Sequence, residues 1–185
     1  MTPEHGPEIA FLANLAKAEG VRSFLEIGAR SGVSFGRIAE ALDSPSKVVA
    51  VDLPGGPWGS PDTDRSLRDT AGRLTTKGHD VDLVLGDSRD PGIVAQVERS
   101  MPFDLLYIDA DHAYESVKAD WENYGPMAAM VAFDDIWSRD RDIGGGAVLA
   151  CGVPRLWREI RQGHRYLEIA GTENRTHGIG LIWQS

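Results

Sequence analysis

Apolar residues recur at helical spacing between Pro7 and Glu19, where Ile9, Phe11, Leu12, Leu15 and Ala16 share one side and Gly20 supplies a stop. Phe24 to Ile27 is a short apolar run ending at Gly28, which predicts a strand. Val33 to Leu42 returns to the helical period through Phe35, Ile38 and Ala39, and Asp43-Ser44-Pro45-Ser46 breaks it. Lys47 to Asp52 is β-branched enough for a buried parallel strand, and Pro54 to Pro61 is a loop rich in glycine and proline that contains Trp58. A polar helix over Asp64–Lys77, a strand over Val81–Leu85 and a proline-started helix over Pro91–Arg99 follow. Phe103–Asp109 is a fourth strand, Ala113–Tyr124 a helix and Met127–Phe133 a fifth strand. Asp134 to Gly152, with Gly144-Gly145-Gly146, reads as a mobile loop over the sheet ends, and Val153–Gln162 as a last helix.

Strands alternating with helices predict an α/β, three-layer, Rossmann-like doubly wound sheet of seven strands, because parallel neighbours need right-handed helical crossovers. The last two strands, Tyr166–Ala170 and Gly178–Trp183, break this rule. Only Gly171 to His177 separates them, so they are expected as an antiparallel hairpin at the sheet edge.

The fourth and fifth strands both end in acid: Asp109-Ala110-Asp111-His112 follows one, and Asp134-Asp135 ends the other. Open α/β sheets bind ligands at these C-terminal ends. Carboxylates converging there without a cation would repel one another and share protons, and a hard metal ion would relieve the conflict. Three oxygen donors, Asp109, Asp134 and Asp135, suit an octahedral Mg²⁺ with positions open to substrate oxygens. Taken singly, each aspartate has another use: Asp134 could cap a turn, and Asp111 could cap the helix at Ala113.

Glu26-Ile27-Gly28-Ala29-Arg30-Ser31-Gly32 lies between a strand and a helix, where glycines permit a tight turn and the helix N-terminus offers N–H groups. Such turns also occur without a cofactor. The spacing is Gly-x-x-x-Gly, not the Gly-x-Gly-x-x-Gly of dehydrogenases. Asp52 ends the second strand 20 positions after Gly32 and is placed to accept from two ribose hydroxyls. Gly86-Asp87-Ser88 could serve an adenine edge or cap the helix before Pro91. Glu26 could hold an ammonium or backbone N–H groups.

These runs together resemble class I S-adenosylmethionine-dependent methyltransferases, and among them the metal-dependent small-molecule O-methyltransferases of the catechol, macrolide-sugar and cephalosporin hydroxylase-like types. The resemblance spans roughly residues 20 to 183. It implies that the last strand inserts antiparallel between the fifth and sixth. It implies a cofactor site of Glu26, Gly28, Ala29, Arg30, Ser34, Asp52, Leu53, Asp87, Ser88 and Asp109, with the loop around the methionine part, Asp52 on the ribose and Asp87 with Ser88 near the adenine. It also implies a divalent cation on Asp109, Asp134 and Asp135. His112 stands near the place of a catalytic lysine in catechol-type enzymes. Its near-neutral titration makes it the candidate general base, beside Asp109 as the other catalytic residue; substrate positioning and helix initiation are its other uses.

Composition narrows the partners. The 185 residues, 42% of them hydrophobic, suit one domain, a helix over 1–20 and a core over 21–183. With 28 acidic and 19 basic side chains the formal charge is −9, which disfavours nucleic acid and anionic membranes and favours small molecules or metal ions, and the resemblance implies a small hydroxylated acceptor. A lone Cys151 excludes an intramolecular disulfide and a multi-cysteine zinc cluster. No leader pattern or membrane-length run is evident, so the expected location is the cytoplasm. Trp58, Trp137 and Tyr114 are candidate walls for the acceptor, and a second copy of the chain could complete the pocket. His164 and His177 border the hairpin without an assigned role, and Arg139 and Arg141 read as a solvated face. Two other functions fit the same pattern less fully: a cofactor-binding module without catalysis, and an NAD-dependent oxidoreductase.

Overall fold

The computed structural model describes residues 6–57, 59–138, 151–171 and 177–184. Along the chain lie α1 (Pro7–Ala18), β1 (Ser23–Ile27), α2 (Val33–Ala41), β2 (Lys47–Asp52), α3 (Pro61–Thr76), β3 (Asp80–Leu85) and α4 (Pro91–Glu98). They are followed by β4 (Phe103–Ile108), α5 (Tyr114–Tyr124), β5 (Ala128–Phe133), α6 (Val153–Ile160), β6 (Arg165–Ile169) and β7 (Ile179–Trp183). Where boundaries differ from the expected ones, local chemistry explains the shift. Helix α3 starts three residues earlier because Ser60 and Thr63 form a reciprocal capping box with Pro61 in the first turn. Strand β5 starts one residue later because Gly125–Met127 turns as a 3₁₀ helix. Asp90, not the Gly86–Ser88 turn, caps α4, its carboxylate accepting from the Gly92 N–H.

The strands form one sheet in the order β3-β2-β1-β4-β5-β7-β6. The first five are parallel, and β7 is antiparallel to both β5 and β6, so the expected hairpin and the expected insertion are both present. Alternating residues feed two core layers. Phe24, Val48, Ala50, Leu105 and Tyr107 pack with Ile9, Leu12, Phe35, Ile38, Leu67 and Leu74 of α1, α2 and α3. Leu25, Ile27, Val49, Val51, Leu106 and Ile108 pack with Val97, Val117, Leu156 and Trp157 of α4, α5 and α6. Each large side chain removed from water in these layers contributes roughly 1.5–3 kcal/mol before conformational entropy is counted. Two elements then lock the centre. The Asp104 carboxylate accepts from the N–H groups of Arg22 and Ser23 at 2.7 and 2.9 Å, and the Ser23 hydroxyl accepts from the Asp104 N–H at 2.9 Å. These bonds hold β1 and β4 in register where the strand order reverses, the position at which open α/β sheets bind ligands beyond their strand C-terminal ends. Among the described residues no helix is long and apolar enough to cross a membrane.

Candidate active site

Gly28, at the end of β1, has φ +94°, and a Cβ there would lie 2.2 Å from the Asp109 carbonyl oxygen and 2.6 Å from the Ala110 Cα. Only glycine lets the turn after β1 press against the backbone leaving β4. The turn closes with the Gly28 N–H on the Val51 carbonyl at 2.8 Å and the Gly32 N–H on the Ala29 carbonyl at 2.7 Å. Arg30 also takes a positive φ, +48°, and its N–H donates to Asp52 Oδ1 at 2.7 Å. That bond spends one oxygen of Asp52 on shaping the loop. Burial nevertheless raises Asp52 above the usual carboxylate range. Leu53, the next residue, is 44% exposed.

Beside this turn Glu26 is fully buried, 0% exposed. The Ser34 hydroxyl of α2 donates to its Oε1, while its Oε2 has no hydrogen-bond partner. Burial first, with the charges of Asp109 and Asp52 adding to it, raises Glu26 well above the carboxylate range. Tyr107 pairs with Glu26 across the β1–β4 ladder and is equally buried. Its hydroxyl meets no partner in hydrogen-bonding geometry, although Asp134 is near enough to help raise it, after burial and Asp109. The unpartnered Glu26 Oε2 is thus a buried acceptor at the strand end that a hydrogen-bond donor would satisfy.

At the end of β3, Asp87 and Ser88 are already engaged. Asp87 accepts from Arg89 Nε and a terminal guanidinium nitrogen, both at 2.9 Å, and these bonds hold it below the usual carboxylate range. The Ser88 hydroxyl donates to Asp120 at 2.7 Å, and its carbonyl accepts from the Tyr124 hydroxyl at 2.7 Å. Helix α5 therefore props the turn from below.

The acidic strand ends meet around His112. Its Nε2 lies 3.2 Å from Asp109 Oδ1 and its Nδ1 lies 3.1 Å from Asp135 Oδ2. Asp135, at φ +58°, has its other oxygen 2.5 Å from His177 Nδ1. Two donor sets thus have their atoms within 4.8 Å of one another: Asp109, His112 and Asp134 in one, and His112, Asp135 and Cys151 in the other. His112 belongs to both. Burial opposes its charge, but the bonds to Asp109, Asp135 and Cys151 outweigh burial and raise it well above the ordinary histidine range. The flanking carboxylates therefore favour the imidazolium, and a proton-accepting role belongs to the form that has lost its proton. Burial also works against charge on Asp135, yet His112 and His177 bring it down to about 2. Asp134 is raised well above the carboxylate range by burial and by the charges of Asp109 and Asp135. Part of the carboxylate conflict expected from the sequence is relieved by His112 itself.

Three residues join the site unannounced by the sequence. His177, which had no expected role, reaches Asp135 because β7 inserts beside β5, where the Ile136 N–H donates to the Gly178 carbonyl at 3.0 Å. Cys151 arrives because the Gly152 N–H donates to the His112 carbonyl at 2.7 Å. Tyr107 was legible only as a strand residue. Two of the candidate acceptor walls have partners of their own. The Tyr114 hydroxyl donates to Glu159 at 2.7 Å beneath the Arg155 guanidinium, and Trp137 packs over Gly178. Trp58, Arg139 and Arg141 lie outside the described residues. Asp111 does not cap α5, whose N-cap is Ala113 without a side-chain bond; its carboxylate instead shapes the turn entering the helix, accepting from the Ala113 N–H at 3.1 Å and from the Ser116 hydroxyl at 2.7 Å.

Comparison with known proteins places this geometry. No curated protein sequence matches the chain significantly. The O-methyltransferase from Bacillus cereus in complex with S-adenosylhomocysteine superposes with a TM-score of 0.74 at 22% identity, over 100% of this chain and 84% of its own. TomG from Streptomyces achromogenes, an O-methyltransferase involved in tomaymycin synthesis and solved with S-adenosylmethionine, gives 0.68 at 19% identity over 98% and 81%. The methyltransferase PaMTH1 from Podospora anserina, bound to S-adenosylhomocysteine, gives 0.64 at 17% over 96% and 78%. At these identities the likeness establishes a shared fold. A family model described as a methyltransferase domain matches residues 25–136. Because that stretch runs from β1 through β5 and covers more than half of the chain, the chain belongs to the methyltransferase domain family.

Proposed function

We propose that the protein is an S-adenosylmethionine-dependent methyltransferase that transfers the methyl group to an oxygen of a small hydroxylated acceptor, with a divalent cation at the acidic strand ends. The observation that carries the cofactor assignment is the unpartnered, fully buried Glu26 Oε2 beside the Gly28 turn. Glu26 would hold the cofactor ammonium, the turn Gly28-Ala29-Arg30 the methionine part, and the second oxygen of Asp52 the ribose. Asp87 is committed to Arg89, so the adenine edge would meet the backbone of the Gly86–Ser88 turn.

Methyl transfer from a sulfonium to an oxygen is an in-line displacement. The acceptor oxygen forms a bond to the methyl carbon as the carbon–sulfur bond breaks, and the hydroxyl proton passes to a base. Alignment of the reacting groups contributes up to roughly 7–11 kcal/mol in favourable systems. His112, oriented by Asp109 on one nitrogen and Asp135 on the other, is placed to take that proton in its neutral form. Asp109 and Asp134 offer oxygen donors to a divalent cation, which when bound would lower the pKa of the acceptor hydroxyl and fix its direction. The acidic surface and the O-methyltransferases among the similar structures support an uncharged or cationic small acceptor over a nucleic acid.

Calorimetry with S-adenosylmethionine and with NAD tests the cofactor, and binding of NAD in preference would overturn the reading. Release of S-adenosylhomocysteine in the presence of catechols, sugars and hydroxylated polyketides, with and without divalent cations, tests the acceptor class. Turnover that needs a hydroxylated acceptor and falls at least tenfold in His112→Ala is expected.

A further inference from the structure

We propose that His112, Asp135 and Cys151 form a binding site for a borderline-soft divalent cation such as Zn²⁺, with a fourth coordination position open to an oxygen ligand. This deepens the cation reading above, and because both His112 nitrogens are then engaged the ion takes over from the imidazole in activating the hydroxyl whenever it is bound; use of the ion in methyl transfer rests on that reading, whereas binding of the ion does not. The donor atoms of the three residues lie within 4.8 Å of one another, and His112 Nδ1 is 3.1 Å from Asp135 Oδ2. Nitrogen and oxygen ligands on a tetrahedral ion with bonds of about 2.0–2.1 Å sit about 3.3 Å apart, so a small adjustment admits the ion.

Two independent features distinguish this trio from a chance cluster. The first is outer support. A metal-binding imidazole ordinarily donates its other N–H to a carboxylate, and His112 Nε2 has Asp109 Oδ1 at 3.2 Å. The ligand carboxylate is itself held, since Asp135 Oδ1 has His177 Nδ1 at 2.5 Å and leaves Oδ2 toward His112. The second is the way the thiol is delivered. A Cβ on Gly152 would stand 2.4 Å from the Tyr114 Cβ, so only glycine lets the chain entering α6 close on the start of α5, and Cys151 is set beside His112 by that approach. A thiolate and an imidazole with one carboxylate select Zn²⁺ or Co²⁺ over Mg²⁺, which takes oxygen ligands almost exclusively. The opposite tautomer of His112 would put an ion between Asp109 and Asp134 and leave the thiol outside its coordination sphere, which is the competing outcome.

Cobalt separates the two. Co²⁺ added to the chelator-treated chain is expected to produce a near-ultraviolet thiolate-to-cobalt charge-transfer band that saturates at one equivalent and is bleached by Zn²⁺. In Cys151→Ser the band is lost and calorimetric Zn²⁺ affinity falls at least tenfold, His177→Ala weakens Zn²⁺ about 10- to 100-fold, and Asp134→Asn keeps the band. Co²⁺ binding without a thiolate band, or a Cys151→Ser chain that binds Zn²⁺ as tightly as the parent, overturns the proposal. Far-ultraviolet dichroism verifies folding; should Cys151→Ser fail to fold, Asp135→Asn carries the comparison, with lost Zn²⁺ affinity expected and unchanged affinity overturning. S-adenosylmethionine binding measured on the same samples reports on the methyl-transfer reading alone.

Discussion

At Glu26, burial without a second partner makes the charged carboxylate costly to the empty fold and useful to a cationic ligand. Glu26→Gln keeps the shape and the acceptor for Ser34 but removes the charge. Cofactor affinity should fall about ten- to hundredfold by calorimetry, matching the roughly 1.5–3 kcal/mol of a hydrogen bond to a charged group. Stability of the cofactor-free protein should not fall; an unchanged dissociation constant would sink the ammonium assignment. Asp120 is the second buried acid with a measurable consequence. It is 1% exposed, and burial pushes it up to about 6 despite the Ser88 hydroxyl and the Arg89 charge. A raised carboxylate stabilises the fold fully below its ordinary value near 4 and loses that contribution as the pH rises through about 6. The loss is on the order of 3 kcal/mol. Asp120→Asn should therefore raise the free energy of unfolding at pH 8 by about 1–3 kcal/mol and leave it unchanged at pH 4, read from urea melts at both pH values.

At the scale of elements, the terminal unit of α6, β6 and β7 depends on one missing methyl. A Cβ at Gly180 in β7 would stand 2.8 Å from three ring atoms of Trp157, whose indole N–H donates to Glu168 Oε1 of β6 at 2.8 Å. Trp157 is buried against Phe133 of β5, so the ring has nowhere to go without disturbing the sheet. Gly180→Ala should lower stability by about 1–3 kcal/mol through overpacking, seen as a lower urea midpoint with an unchanged slope. Because the same unit carries His177 to Asp135, the variant should also weaken the Zn²⁺ site. Periodicity predicted every one of these elements. It could not show that Gly180 is a contact point, since a glycine inside an apolar strand run carries no mark of what lies across from it.

At the scale of the whole molecule, the sheet order turns chain distance into proximity. Gly28, Asp52, Asp109 and Asp134 end strands in the sequence, and a parallel sheet brings strand ends of one direction to one edge; this half of the site was legible because the period of 2, the glycine turn and the crossover rule are local signals. His112 was legible beside Asp109, three residues away, but not beside Asp135, which comes from the next strand. His177 lies 42 residues from Asp135, and nothing along the chain joins the two. Its arrival follows from insertion of β7 between β5 and β6, which depends on pairing across the sheet. Cys151 likewise looked only like an unpaired thiol until Gly152 closed on His112. The amino-acid sequence by itself determined the layered α/β fold, the cofactor-type turn and the acidic edge, because each is written in spacing along one segment. Only the tertiary structure decided which charges face which partners, and hence that an imidazole, a second histidine and a thiol stand among the aspartates, because those contacts depend on which backbones approach closely enough to touch.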